Sequence, residues 1–125
     1  MKILIIAAHP DDEVLGVGGT VCKHVAQNDE VYVCIVTKAN EPEWTAEYIE
    51  TKKKEQRKVD KLLKIKKRIN LNLLTTCLNT IPHGKLNKMI YEVVNEINPD
   101  IVYTHFENDL NYDHTTVFRV SMVAT

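Results

Sequence analysis

The stretch Ile3-Leu4-Ile5-Ile6-Ala7-Ala8-His9-Pro10-Asp11-Asp12-Glu13 decides the fold. Its first half is a short apolar run that reads as a buried strand. Its second half packs one imidazole and three carboxylates into five residues, just ahead of Gly16-Val17-Gly18-Gly19 and a helical pattern. A strand that gives way to a helix in this way places those groups at the carboxyl end of the strand, where open parallel sheets bind ligands. Asp11, Asp12 and Glu13 are adjacent like charges that oppose one another's ionisation. A bound cation relieves that repulsion, and so does the positive end of the following helix. Neutral imidazole and carboxylate are ligands for zinc and similar divalent ions. His9 and Asp12 stand three residues apart, with Pro10 fixing its own φ between them. In the bland alternative, Asp11 or Asp12 caps the helix and His9 merely ends the strand. This segment alone leaves both open.

Outward from that stretch, 125 residues suffice for one domain, 1–125. The composition, 44% hydrophobic and 26% charged with a net charge of −1, is that of a globular protein and argues against a dedicated nucleic-acid binder. Cys22, Cys34 and Cys77 are odd in number and widely spaced. They form neither a disulfide framework nor a zinc ribbon, and a reducing cytoplasm is the expected home. No apolar run has the length of a transmembrane helix.

The chain then alternates strand and helix. The first helix is expected from about Asp12 to Gln27, with Leu15, Thr20, Val21, Cys22 and Val25 inward. Its three glycines suggest close backbone approach. They lack the G-x-G-x-x-G spacing of a dinucleotide loop. Val31 to Val36 is a second, central strand, and Thr37 to Trp44 is a loop on the His9 rim. Lys38 and Trp44 read there as ordinary loop residues. Thr45 to about Lys67 reads as a long charged helix with a patchy inner stripe of Tyr48, Ile49, Val59, Leu62, Leu63 and Ile65; Arg57 is indistinguishable from its other basic residues. Ile69 to Leu74 alternates like an edge strand, and Leu86 to Asn98 is an amphipathic helix ended by Pro99. Ile101 to Thr104 is a fourth strand with His105 at its carboxyl end, and a last helix opens near Asp113-His114. The alternation implies an α/β fold with a parallel sheet.

If the fourth strand lies beside the first, His114 reaches the His9–Asp12 pair. Two imidazoles and one carboxylate, with water in the open position, form the ligand set of a catalytic zinc site. No cysteine falls near either segment to close the site with a fourth protein ligand.

The same residues carry a family resemblance. Ala8-His9-Pro10-Asp11-Asp12-Glu13 with Gly18-Gly19-Thr20, then Asn98-Pro99-Asp100-Ile101-Val102 and Asp109-Leu110-Asn111-Tyr112-Asp113-His114, resembles the PIG-L/LmbE-like family of metal-dependent N-deacetylases over nearly the whole chain. The resemblance implies a Rossmann-like three-layer sandwich with a mainly parallel sheet. It also implies hydrolysis of an acetamide, usually on an N-acetylglucosamine-type sugar. It assigns His9, Asp12 and His114 as ligands of Zn2+ or another divalent metal, Asp11 as general base and Arg57 as a substrate contact. Two departures stand out. Many members carry a His where this chain has Asn111, which can donate to an oxyanion but supplies no proton near neutral pH. Proton return then falls to Asp11, or His105 assists. Members are also generally longer, which suggests truncation at the C-terminal end. The implied partner is a small N-acetylated sugar or conjugate, with homo-oligomer formation open. Two rivals stay in view: an amidase acting on another amide conjugate, and a non-catalytic Rossmann-like module that binds a sugar or nucleotide.

Overall fold

The computed structural model describes residues 1–125. The elements follow in the order β1 (Lys2–Ala7), α1 (Asp12–Ala26), β2 (Glu30–Lys38), α2 (Ala46–Leu62), β3 (Lys67–Leu74), α3 (His83–Ile97), β4 (Ile101–Tyr103) and α4 (Tyr112–Ala124), with a short 3-10 turn at Leu78–Thr80. The four strands form one all-parallel sheet in the order β3-β2-β1-β4. β1 is therefore central, with Ile3 paired to Val31 on one side and Ile101 on the other. The chain runs outward from β1 through β2 to β3, then returns to place β4 on the opposite side. The ends of β1 and β4 thus flank the crevice created where strand order reverses.

The apolar run of β1 is continuous because both its faces are buried. Ile3, Ile5 and Ala7 pack with Val31, Val33, Ile35 and Val21 on the α1 side. Leu4, Ile6 and Ala8 pack with Leu86, Ile90, Val93, Val117 and Val120 beneath α3 and α4. β3 is the expected edge strand, with Ile69, Leu71 and Leu73 half-buried against the second group. No helix is long and apolar enough to cross a membrane.

Several local expectations are corrected. Leu15 is 82% exposed and Cys22 is also exposed, because the inward side of α1 carries Glu13, Val17, Val21, His24 and Val25 instead. The glycines mark no close approach: a Cβ at Gly16 or Gly19 would meet nothing within 4 Å. They accompany a kink, since Val17 leaves helical geometry at φ −134° and ψ 15°. Gly19 sits past the kink in open space, so Gly19→Ala should stabilise the chain by about 0.5–1 kcal/mol in urea unfolding, through helix propensity alone. α2 stops at Leu62 rather than near Lys67. Lys64 turns the chain at φ 53°, and the Lys66 N–H donates to the Val31 carbonyl as pairing with the sheet begins. Its expected inner stripe is loose: no α2 residue is buried, and Tyr48 and Leu62 are exposed. The underside of α2 stands instead over a cavity.

Candidate functional site

Two bonds fix where β1 delivers His9. The Ala8 carbonyl accepts from both the backbone N–H and the hydroxyl of Thr37 in β2, each at 2.9 Å. The Ala8 N–H donates to Nε2 of His105, just beyond β4, at 2.8 Å. The backbone then turns at Asp11, whose φ of 108° is unusual for a residue with a side chain. Such a conformation costs about 1–3 kcal/mol and collects at functional sites. Asp11 begins α1 without capping it through its side chain; the Glu13 carboxylate accepts the Asp11 N–H instead. Asp12 Oδ2 accepts the His9 N–H at 2.8 Å.

α4 supplies the opposite wall. Asn111 is its N-cap, with Oδ1 accepting from the N–H groups of Asp113 at 2.9 Å and His114 at 3.3 Å. Those two donors identify the oxygen side of the amide. His114 is thereby held in the first turn, facing β1.

The result is a triangle of potential ligand atoms. His9 Nδ1 lies 3.3 Å from Asp12 Oδ2, His114 Nε2 lies 3.1 Å from the same oxygen, and the two nitrogens are 3.2 Å apart. A tetrahedral ion with bonds of about 2.0–2.1 Å separates its ligands by roughly 3.3 Å. The donor set and its spacing therefore fit a zinc-sized divalent cation. Each imidazole is held at its other nitrogen by a carboxylate: His9 Nε2 by Asp113 Oδ2 at 2.8 Å, and His114 Nδ1 by Asp109 Oδ2 at 2.9 Å. Such bonds put the N–H on the outer nitrogen and leave the inner lone pair for a cation. Asp113 is only 2% exposed; its Oδ2 also accepts from the Thr76 N–H at 2.8 Å, while its Oδ1 has no partner.

The local field is negative. Burial lowers the His9 pKa, but hydrogen bonds to Asp12 and Asp113 outweigh it and hold the ring above its ordinary value. Burial raises Asp12, but the His9 side chain and backbone, with the charge of His114, carry it below the usual carboxylate range. His105 behaves oppositely. Burial, then the neighbouring His114, push it down to about 4, and its ring stacks on that of His114 at 3.9 Å between centroids.

A cavity of about 840 Å3 opens beside the triangle. His9, Asp11, Arg57 and Asn111 line it. Asp11 is free of the triangle, its side chain 52% exposed and 3.5 Å from Lys52 Nζ. His105 is not on the cavity wall; it stands behind His114 with Nε2 occupied by Ala8. Lys38 and Trp44, read from sequence as ordinary loop residues, also line the cavity. Sequence reasoning missed Asp109 and Asp113. Their only signal was position, five residues and one residue before His114, and several other polar residues in that loop looked equivalent.

The family model described as PIG-L, GlcNAc-PI de-N-acetylase, matches residues 4–125. An uncharacterised deacetylase of Escherichia coli, YaiS, is 32% identical over 130 residues, covering 98% of this chain and 66% of its own length. Among solved structures, the N,N'-diacetylchitobiose deacetylase of Pyrococcus horikoshii superposes with a TM-score of 0.84 at 26% identity, over 98% of this chain and 48% of that one. A conserved protein of Thermus thermophilus gives 0.85 at 26% identity, over 98% and 54%. The chain thus spans between about half and two thirds of the length of these relatives. A parallel sheet that carries the His-Pro-Asp-Asp-Glu turn at its centre, matched from end to end by the family's own model, leaves one assignment: the chain belongs to the PIG-L family.

Proposed function

We propose that this chain is a metal-dependent hydrolase that removes an acetyl group from an N-acetylglucosamine-type sugar or a related acetamide. The observation that carries the reading is the His9–Asp12–His114 triangle, sized for one divalent cation and opening beside a cavity with Asp11 on its wall. A zinc ion bound there would supply Lewis acidity and a water of pKa about 7. Asp11 takes the proton of the attacking water as general base. As the water attacks the acetyl carbonyl, negative charge develops on the carbonyl oxygen. Asn111 has its Oδ1 engaged in capping α4, and offers its Nδ2–H as the donor to that oxygen. Asp11 then returns the proton to nitrogen as the C–N bond breaks, giving acetate and a free amine. His105 positions His114 by stacking. Arg57, on the cavity wall, contacts the substrate. The three cysteines are unpaired, which supports a cytoplasmic setting.

Metal analysis of the purified chain, with acetate release from N-acetylglucosamine derivatives before and after chelation, tests this. Bound metal with chelator-sensitive acetate release is the expected result. Metal without hydrolysis of any acetamide would favour a binding module, and turnover restricted to larger amides would favour an amidase.

A pH dependence follows from His9. A metal ligand must be deprotonated, and against the opposing effect of burial Asp12 and Asp113 raise the His9 pKa above its ordinary value. Below its pKa, His9 must lose a proton for each ion bound, so metal affinity should fall about tenfold per pH unit. Competition with a chromophoric chelator between pH 6 and pH 8 should show weaker binding at the acid end. A flat profile would mean that His9 is not a ligand.

A further inference from the structure

The Glu13 carboxylate spans two partners, one per oxygen. Oε2 accepts the Asp11 N–H at 3.0 Å, and Oε1 accepts from Nη2 of Arg68 at 2.7 Å. Glu13 is only 4% exposed and the Arg68 side chain only 7%. Arg68 comes from β3 and is fixed in turn by Asp60 of α2, whose two oxygens accept from its Nε at 2.9 and 3.0 Å. Groups from α2, β3 and α1 thus converge, through Asp60, Arg68 and Glu13, on one backbone N–H.

A helix needs no such arrangement to begin. An N-cap residue ordinarily has extended backbone and turns its own side chain onto the first N–H groups of the helix. Asp11 does the reverse: it stands at φ 108° and ψ −24°, and its side chain caps nothing. Only its carbonyl serves α1, accepting from the N–H groups of Val14 and Leu15 at 3.0 Å. Strained backbone of this kind persists only where its surroundings over-determine it. The carboxylate of Asp11 is too loosely held to do this, since its one ion pair, with Lys52 at 3.5 Å, is half-exposed. The bond to Glu13 holds the backbone itself.

We propose that Glu13, clamped by Arg68, is a positioning residue that locks the Asp11 turn and so keeps the Asp11 carboxylate on the cavity wall. A buried ion pair is a poor source of net stability, because desolvation offsets its attraction. What this pair supplies is placement. Without it, Asp11 relaxes to ordinary N-cap geometry, its carboxylate turns onto the first N–H groups of α1, and the base leaves the cavity. The consequence for catalysis rests on the hydrolase reading; the lock on the backbone does not.

Two variants remove the lock and spare the metal ligands. Glu13→Gln is isosteric but offers one oxygen where two are used, so either Arg68 or the Asp11 N–H loses its acceptor. Glu13→Leu/Arg68→Met replaces the pair with apolar groups, an exchange that buried pairs often tolerate. Amide hydrogen exchange of the isotope-labelled chain, read by NMR, reports the lock without turnover. The Asp11 N–H should exchange about tenfold or more faster in both variants, with the amides of β1 unchanged. On the metal-loaded chain, kcat for acetate release should fall about tenfold or more, with KM and metal affinity within about threefold of the parent. Loss of fold or of metal would lower the rate whatever the base. Each variant is therefore also made in the Asp11→Asn background, where a further loss of no more than about threefold is expected. Unchanged exchange at Asp11, unchanged kcat, or an equal loss with and without the Asp11 carboxylate overturns the proposal. If the double variant does not fold, Glu13→Gln decides by the same readouts. If the parent releases no acetate from any acetamide, the hydrolase reading falls, and the exchange measurement alone decides whether Glu13 locks Asp11.

Discussion

Asp11→Asn should leave metal content unchanged and lower acetate release by roughly a hundred- to ten-thousand-fold, the range for loss of a positioned general base. Two adjacent aspartates stand in contrasting surroundings. Asp12 is half-buried, and its Oδ2 lies 3.1–3.3 Å from both imidazole nitrogens of the triangle. Asp11 sits on the cavity wall, with its carboxylate 3.5 Å from Lys52 and in no ion pair with His9 or His114. The turn at φ 108° accompanies this split, which gives the neighbouring carboxylates the different environments that the proposed division between base and ligand requires. Asparagine is the right probe because it keeps the shape and tolerates positive φ better than most residues, so the backbone strain does not change sign. It keeps a hydrogen-bonding side chain but cannot accept a proton near neutral pH. Elemental analysis and initial rates on the same preparation decide the matter. If metal leaves with the activity, Asp11 is a ligand and the roles of the two aspartates are exchanged.

What the sequence disclosed followed from how many constraints acted on each residue. Ile3 to Ala8 was legible because a strand covered on both faces has to be apolar throughout, and no helix competes for so short a run. Asp12 opened α1 as expected. The approach of His114 to His9 was legible only conditionally, because it requires β4 beside β1, and strand order is a tertiary fact that no local pattern carries. The end of α2 was misread because Leu62, Leu63 and Ile65 continue a helical spacing. Sheet pairing of Lys66 with Val31 overrode that local preference. Leu15 was misassigned because the inward side of α1 takes Glu13, drawn in by Arg68. Arg68 itself was hidden in the basic run Lys66-Lys67-Arg68, where only the alternation of β3 separates a guanidinium over the cavity from lysines at the surface. Asp109 and Asp113 were missed for a related reason. A carboxylate that orients an imidazole is recognised by distance, and nothing in its spacing sets it apart.

Asp12→Ala should remove the metal while sparing the fold. Asp12 Oδ2 is the one acceptor shared by the site: the His9 N–H reaches it at 2.8 Å, and ring nitrogens of His114, His9 and His105 lie at 3.1, 3.3 and 3.6 Å. Its negative charge also separates two imidazoles whose nitrogens stand 3.2 Å apart. Zinc sites built from four protein ligands bind with about 10–16 kcal/mol, so one ligand accounts for roughly 3 kcal/mol, or about a hundredfold in affinity. Loss of the anion makes the true figure larger, because two neutral imidazoles alone do not offset the charge of a divalent cation. Stability of the metal-free chain should change little by comparison. Asp12 lies outside both apolar clusters, and its removal leaves one backbone N–H, that of His9, without its acceptor, at about 1–3 kcal/mol. The paired measurement is a chelator competition for affinity and urea unfolding of the metal-free chain for stability. A variant that still binds zinc like the parent would mean that the ion, if one binds, sits elsewhere. A variant that binds no metal because it no longer folds would show Asp12 to be a structural cap, and His9→Gln, which leaves both the Asp12 carboxylate and the His9 backbone N–H in place, would then decide whether the triangle is the site.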